Sequence, residues 1–522
     1  MIGVIVDESE RAVVGEFFEL FKTPWEWWQS NCEYEVVLCT AKQHVKGLVA
    51  KLTFLYSGAE LQYDREEGVG VAPRQIGGTL SHDGNAIPIY GDCITFPEQE
   101  SRGLLEENSR HPAMHQRRTP NGLILRIGFD LFREVELLLT VGQPAANASI
   151  PTLELHIALL RDLIVSAGIA LAEIPPVPEG FRFIVCLTHD IDHPSIRKHI
   201  CDRTMLGFLY RAVIGSVGNA LRGSISLRDV LTNWAAVLRL PFVYLGFAKD
   251  FWRDFVSRYR GVEREFPSTY FVIPFANRPG CDAHGQAPAY RASRYGAGEI
   301  SDLIADALAN GCEVGLHGID AWADSDKGRE ELEEIRQISG CAEIGSRMHW
   351  LYFDENASQR LERAGIDYDS TMGYRETVGF RTGTTQAYKP LQAERLLELP
   401  LHVMDTALFY PAYLGLTSEK ANETIRRLTD QVEHFGGCLV INWHDRSLAP
   451  ERLWYACYGR LLKDLKARGA WFATTAQAVA WFRKRRSVAL EGSDAHERVT
   501  RLNETRAGGD HLPALRLHFH EA

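Results

Sequence analysis

From residue 181 to residue 474 one arrangement recurs: an apolar run of strand length, then a segment of helical spacing. The candidate strands are residues 181–188, 269–274, 312–316, 343–348, 366–369, 397–404, 438–443 and 471–474. Helical segments at 300–310, 327–339, 357–364, 419–435 and 451–468 lie between most of them. Strands that alternate with helices imply an α/β fold with a parallel sheet, because parallel neighbours need a crossover. Seven or eight units over about 300 residues favour closure into a barrel.

The chain has 522 residues, room for two to four domains of about 150 each. Residues 1–172 read as a smaller α/β domain of unknown role, with strands at 2–6, 34–40 and 123–127 and helices at 8–22, 130–140 and 153–172. Three prolines in Glu173-Ile-Pro-Pro-Val-Pro-Glu-Gly180 stop the preceding helix, so residues 173–180 read as a linker. The barrel is expected over 181–484, with an insertion at about 203–260, and residues 485–522 read as a polar tail. The 203–240 part carries five arginines and one acid, and reads as a basic helical patch covering the barrel. Peripheral membrane contact is the less favoured alternative.

Composition excludes several classes. Lys plus Arg is 57 and Asp plus Glu is 68, a formal charge of −11, which argues against a nucleic-acid partner. No uninterrupted apolar run reaches the length of about 18 residues that a spanning helix needs. The start, Met1-Ile-Gly-Val-Ile-Val-Asp-Glu, reads as a strand without a basic n-region, so a cytoplasmic address is expected. Ten cysteines without a C-x-x-C pair fit buried reduced thiols better than disulfides or a thiolate metal site.

In parallel β/α folds the chemistry collects where strands end. Here those ends read Thr188-His189-Asp190-Ile191-Asp192, Leu316-His317, Arg347-Met348-His349, Tyr368-Asp369, Met404-Asp405 and Asn442-Trp443-His444. Strand alternation puts Asp190 with Asp192 on one face, and Arg347 with His349. Side-by-side carboxylates repel, so one needs a cation. A mixed carboxylate–imidazole set suits a divalent metal, with zinc the default by ligand type alone.

These segments resemble the polysaccharide deacetylase family, the NodB-homology or carbohydrate esterase 4 type, from about Phe181 to Trp481. The N-terminal region with Phe18-Glu-Leu-Phe-Lys-Thr-Pro-Trp25 resembles the uncharacterised domain that precedes some members. The resemblance implies a distorted (β/α)7 barrel, a divalent metal and removal of acetyl groups from N-acetylated sugars. It gives Asp190 the general-base role, Arg347 the task of holding that base, and His444 the general-acid role. Asp192 and His317 become metal ligands. Where the family usually has a second histidine, four residues after His317, this chain has Ala321. His349 is the first candidate to replace it and Asp320 the second. Asp369, Tyr374, Arg381 and Trp443 are candidates for contact with a carbohydrate substrate, in a glycan or a biosynthetic precursor. The rival readings are a metal-dependent C–N hydrolase of small non-sugar amides and a catalytically inactive carbohydrate-binding member.

Overall fold

The computed structural model describes residues 1–40, 48–98, 103–221, 225–490 and 511–521. Two compact units emerge. One joins Met1–Glu179, Phe380–Leu391 and Trp481–Ala522; the other joins Gly180–Gly379 and Gln392–Ala480. This partition is not linear. Two later stretches return to the first unit, which a division into 1–172, 181–484 and a tail does not provide for.

The first unit holds a six-stranded sheet in the order Trp25–Trp27, Ile2–Ile5, Tyr34–Cys39, Ala50–Tyr56, Gly122–Ile127 and Met114–Thr119. All neighbours are parallel except the last pair. Helix Arg11–Phe21 buries Val14, Phe17, Phe18 and Phe21, the apolar face that its spacing predicts. Residues 491–510 of the expected tail lie outside the described residues. The stretch beyond them is structured: His518–His520 pairs antiparallel with Leu171–Glu173. At the start of that tail, Arg485 is fully buried in this unit. It donates to the carbonyls of Glu19, Leu20 and Ile174 and to Oε1 of Gln386. A polar composition therefore conceals an anchor, because a guanidinium with every donor engaged can be buried.

The second unit is built on Phe183–Ile191, a strand buried along its whole length. Parallel strands covered on both faces read as continuous apolar runs, and this one does until its C-terminal end turns polar. It pairs with Ser268–Val272 and Ala470–Phe472 along one edge and with Cys438–Asn442 along the other. The sheet continues through Glu313–Gly318, Ser346–Met348 and Tyr368–Asp369. The expected strand at 397–404 is split in two. Leu397–Glu398 pairs with Tyr368–Asp369, whereas Val403–Met404 pairs with Ile441–Asn442. One short stretch thus touches both ends of the sheet and curls it into a distorted parallel barrel. With that stretch counted once, and Ala470–Phe472 set aside as an edge strand, seven staves remain.

The insertion forms helix Arg203–Tyr210, a π-helical turn Arg211–Gly215, helix Ser216–Leu221 and helix Leu227–Tyr244. Among the described residues no helix is long and apolar enough to cross a membrane. All ten cysteines are free; Cys32 and Cys201 are exposed, and the rest are buried or half-buried.

Candidate active site

Alternation along the staves decides which polar groups meet. Thr188, Asp190 and Asp192 point to one side of their strand, and the register sets Thr188 beside Asn442 and His317 beside Arg347. The barrel interior at its C-terminal end therefore gathers Asp190, Asp192, His317, Arg347, His349, Asn442 and His444.

Asp190 is 3% exposed and held from two sides. Arg347 Nη1 donates to its Oδ1 at 3.0 Å, and Asn442 Nδ2 donates to its Oδ2 at 2.8 Å. Arg347 is itself fixed: it donates to Thr188 Oγ1 and to both the carbonyl and the hydroxyl of Ser370. Its guanidinium lies 4.5 Å over the Phe271 ring. Burial alone would raise the Asp190 carboxyl. The Arg347 charge, helped by His317 and His444, outweighs it and holds the group below its ordinary value.

Asp192 has a different setting. Its Oδ1 lies 3.5 Å from His317 Nε2 and 3.4 Å from His349 Nδ1, yet neither that oxygen nor His349 Nδ1 makes a hydrogen bond. His317 Nδ1 is 2.9 Å from the Arg347 carbonyl, which can only accept, so Nδ1 carries a proton and Nε2 is the ring atom left to face Asp192. Metal-binding histidines are commonly oriented this way, by a carbonyl behind the ring. Burial holds His349 below its ordinary pKa, which favours the neutral imidazole a ligand must be. Buried atoms with unused lone pairs that converge within 4.8 Å are what a cation requires. The donor set therefore fits a divalent metal.

Of the two residues considered beside His317 in place of residue 321, only His349 stands next to Asp192. Ala321 is packed in the apolar core, and Asp320 turns away to Cys281 and to an ion pair with Lys327 at 3.0 Å. His349 joins the cluster instead. Its carbonyl is tied down by Arg291 Nη2, and Trp350 and Leu351 after it take left-handed backbone at φ 66° and 53°. Non-glycine residues seldom adopt that conformation unless their surroundings impose it.

His444 completes the group. Its Nδ1 is 2.6 Å from Asp405 Oδ1, its backbone N–H donates to Asp405 Oδ2, and its Nε2 lies 3.8 Å from Asp192. Burial would lower this imidazole, but the Asp405 carboxylate, then Asp192 and Asp190, push it up to about 10. His444 is accordingly a cation at neutral pH.

The candidates for substrate contact fare differently. Asp369 is buried among Ser346, Thr371 and Glu398. Burial raises both carboxyls, and Asp369 adds to the rise at Glu398. Tyr374 is 6% exposed and offers a sugar little surface. Arg381 belongs to the other unit, where its carbonyl accepts from the Gln143 N–H. Trp443 corrects a sequence expectation. It is fully buried, stacked on Tyr458 at 5.1 Å and edge-on to Phe409, because it alternates with the inward Asn442 and His444 and so faces the outer helices. Sequence reasoning assigned no role to Asn442 or Asp405. Asn442 was legible from its position two residues before His444; Asp405 stood at a strand end, where a helix-capping acid looks the same.

No family model matches the chain, and no curated protein does. Among solved structures, one named as a polysaccharide deacetylase from Mycobacterium smegmatis is 19% identical, covers 60% of this chain and 95% of its own, and superposes with a TM-score of 0.37. One so named from Pseudomonas aeruginosa PAO1 is 16% identical over 62% of this chain and 98% of its own, with a TM-score of 0.37. A Puue allantoinase is 15% identical over 58% of this chain and 91% of its own, with a TM-score of 0.36. Likenesses this distant do not assign a function.

Proposed function

We propose that the protein is a metal-dependent hydrolase that removes an acetyl group from an N-acetylated sugar in a glycan or glycan precursor. The observation that carries this reading is the contrast between Asp190, neutralised by Arg347, and Asp192, whose Oδ1 lies unbonded beside His317 and His349. Those three residues would hold a divalent ion, with zinc the default for such a donor set. Such an ion supplies Lewis acidity to water and to an acetyl carbonyl.

The chain's own groups account for the proton movements. Asp190 is ionised and keeps a lone pair free on its oxygens beside the bonds from Arg347 and Asn442, so it can take a proton from the attacking water. Arg347 prevents the pairing of two neighbouring anions from protonating that base prematurely. His444 gives up a proton from Nε2 to the departing amine, since Nδ1 is engaged by Asp405. The acid and base are thus pre-set in opposite charge states before substrate arrives.

The test is acetate release from N-acetylglucosamine oligomers, compared with small amides, in the native protein and in Asp190→Asn and His444→Ala. Each variant is expected to remain folded and to retain metal while losing about 10²–10⁴ in rate. Unchanged turnover removes those roles, and a preference for small amides moves the reading to a non-sugar hydrolase.

A further inference from the structure

More than half of the large apolar side chains exposed among the described residues lie between Leu206 and Phe247. They are not scattered. On helix Leu227–Tyr244 the exposed residues Leu227, Leu231, Trp234, Leu238 and Phe242 follow one another at steps of four, three, four and four, so they form one row along the helix. Across residues 203–221, Leu206, Tyr210, Ile214, Val217 and Leu221 form a second row. The opposite faces bury Phe208, Ala212, Ala236, Leu240 and Val243 in a cluster of their own, so the helices are packed and the outward rows are surplus to that packing. The expected patch covering the barrel accounts for the inner faces alone.

Charge selects the occupant. Arg203, Arg228, Arg239 and Lys249 are exposed around these rows. Arg228 and Arg239 form no ion pair among the described residues. The acids at the two helix starts, Asp202 and Asp229, are engaged as caps. This basic island sits on a chain of net charge −11. We propose that the helical insert docks on the surface of an anionic phospholipid bilayer, with its apolar rows in the headgroup region and its arginines on lipid phosphates. A second copy of the chain would set the same arginines against each other.

The root of the insert says which end of the barrel is presented. The segment leaves the catalytic end of strand Phe183–Ile191, and Ser195 and Ile196 are tied to Asp250. Tyr244 donates to the His199 carbonyl, and Trp252 packs on Ala449 and Arg446, just past His444. The docked bilayer therefore lies at the rim of the site.

Co-sedimentation of the full chain with phosphatidylcholine vesicles, with and without phosphatidylglycerol, tests this. The protein is expected to bind the anionic vesicles, to weaken about five-fold for each of Arg228→Ala and Arg239→Ala, and to lose binding in Leu231→Ser/Trp234→Ser/Leu238→Ser. Unchanged helix content by circular dichroism shows that the triple variant is folded. No binding to anionic vesicles overturns the proposal, as does a dimer in sedimentation velocity that the triple variant dissolves. Asp190→Asn should bind vesicles normally, so failure of the hydrolase reading and failure of docking are separate results.

Discussion

Asp190 and Asp192 leave one strand on the same face, two residues apart, into opposite surroundings. The chain supplies the positive charge for Asp190: Arg347 is buried beside it and is itself held by Thr188 and Ser370. Around Asp192 it supplies imidazoles, and leaves an oxygen and a ring nitrogen unbonded. The difference shows that two identical side chains on one strand face need not share a setting. A carboxylate neutralised from within has a fixed ionisation and can act as a base. One set among imidazoles, with an oxygen left unbonded, has room to take a further cation.

The largest expected effect removes the second setting. Asp192→Ala should purify without stoichiometric metal by elemental analysis and release acetate at the background rate. Asp190→Asn should keep its metal and lose about 10²–10⁴ in kcat, which separates the two carboxylates in a single pair of assays. Arg347→Met leaves Asp190 buried without its cation, so denaturant titration should show a loss of about 3–5 kcal/mol.

Asp405→Asn reaches the acid from behind. His444 is raised to about 10, so the acid stays protonated through neutral pH and activity falls only as pH rises through that value. Without Asp405 that alkaline limb should move about 1–3 pH units lower, with kcat down about 10–100-fold. A limb that stays in place would show that Asp405 does not tune His444. Trp443→Phe should do least: about 1 kcal/mol of stability and no change in KM, since the indole is buried and its N–H has no partner.

The staves and their ends were legible because buried parallel strands are apolar throughout and then stop at polar residues. His349 was legible from sharing a face with Arg347. Trp443 was named as a candidate for substrate contact, but strand alternation turns it away from Asn442 and His444 into the outer packing. Asp405 was visible as a strand-end acid, but its pairing with His444 was not, since that depends on residue 444 being folded against it. The split stretch at 397–404 was not legible either: it reads as one strand and serves two partners. The apolar rows of the insert were present in the spacing, but a helix with apolar residues on more than one face does not announce which face is covered.

The three-part make-up of the first unit bears on synthesis. Arg485 and the strand His518–His520 complete a body whose first strands emerge at residue 2. The contacts of Arg485 and the pairing of His518–His520 can therefore form only after the intervening barrel has been translated. Removal of residues 481–522 should consequently disturb the N-terminal unit, and an excised 1–179 fragment would lack Arg485 and the strand that pairs with Leu171–Glu173.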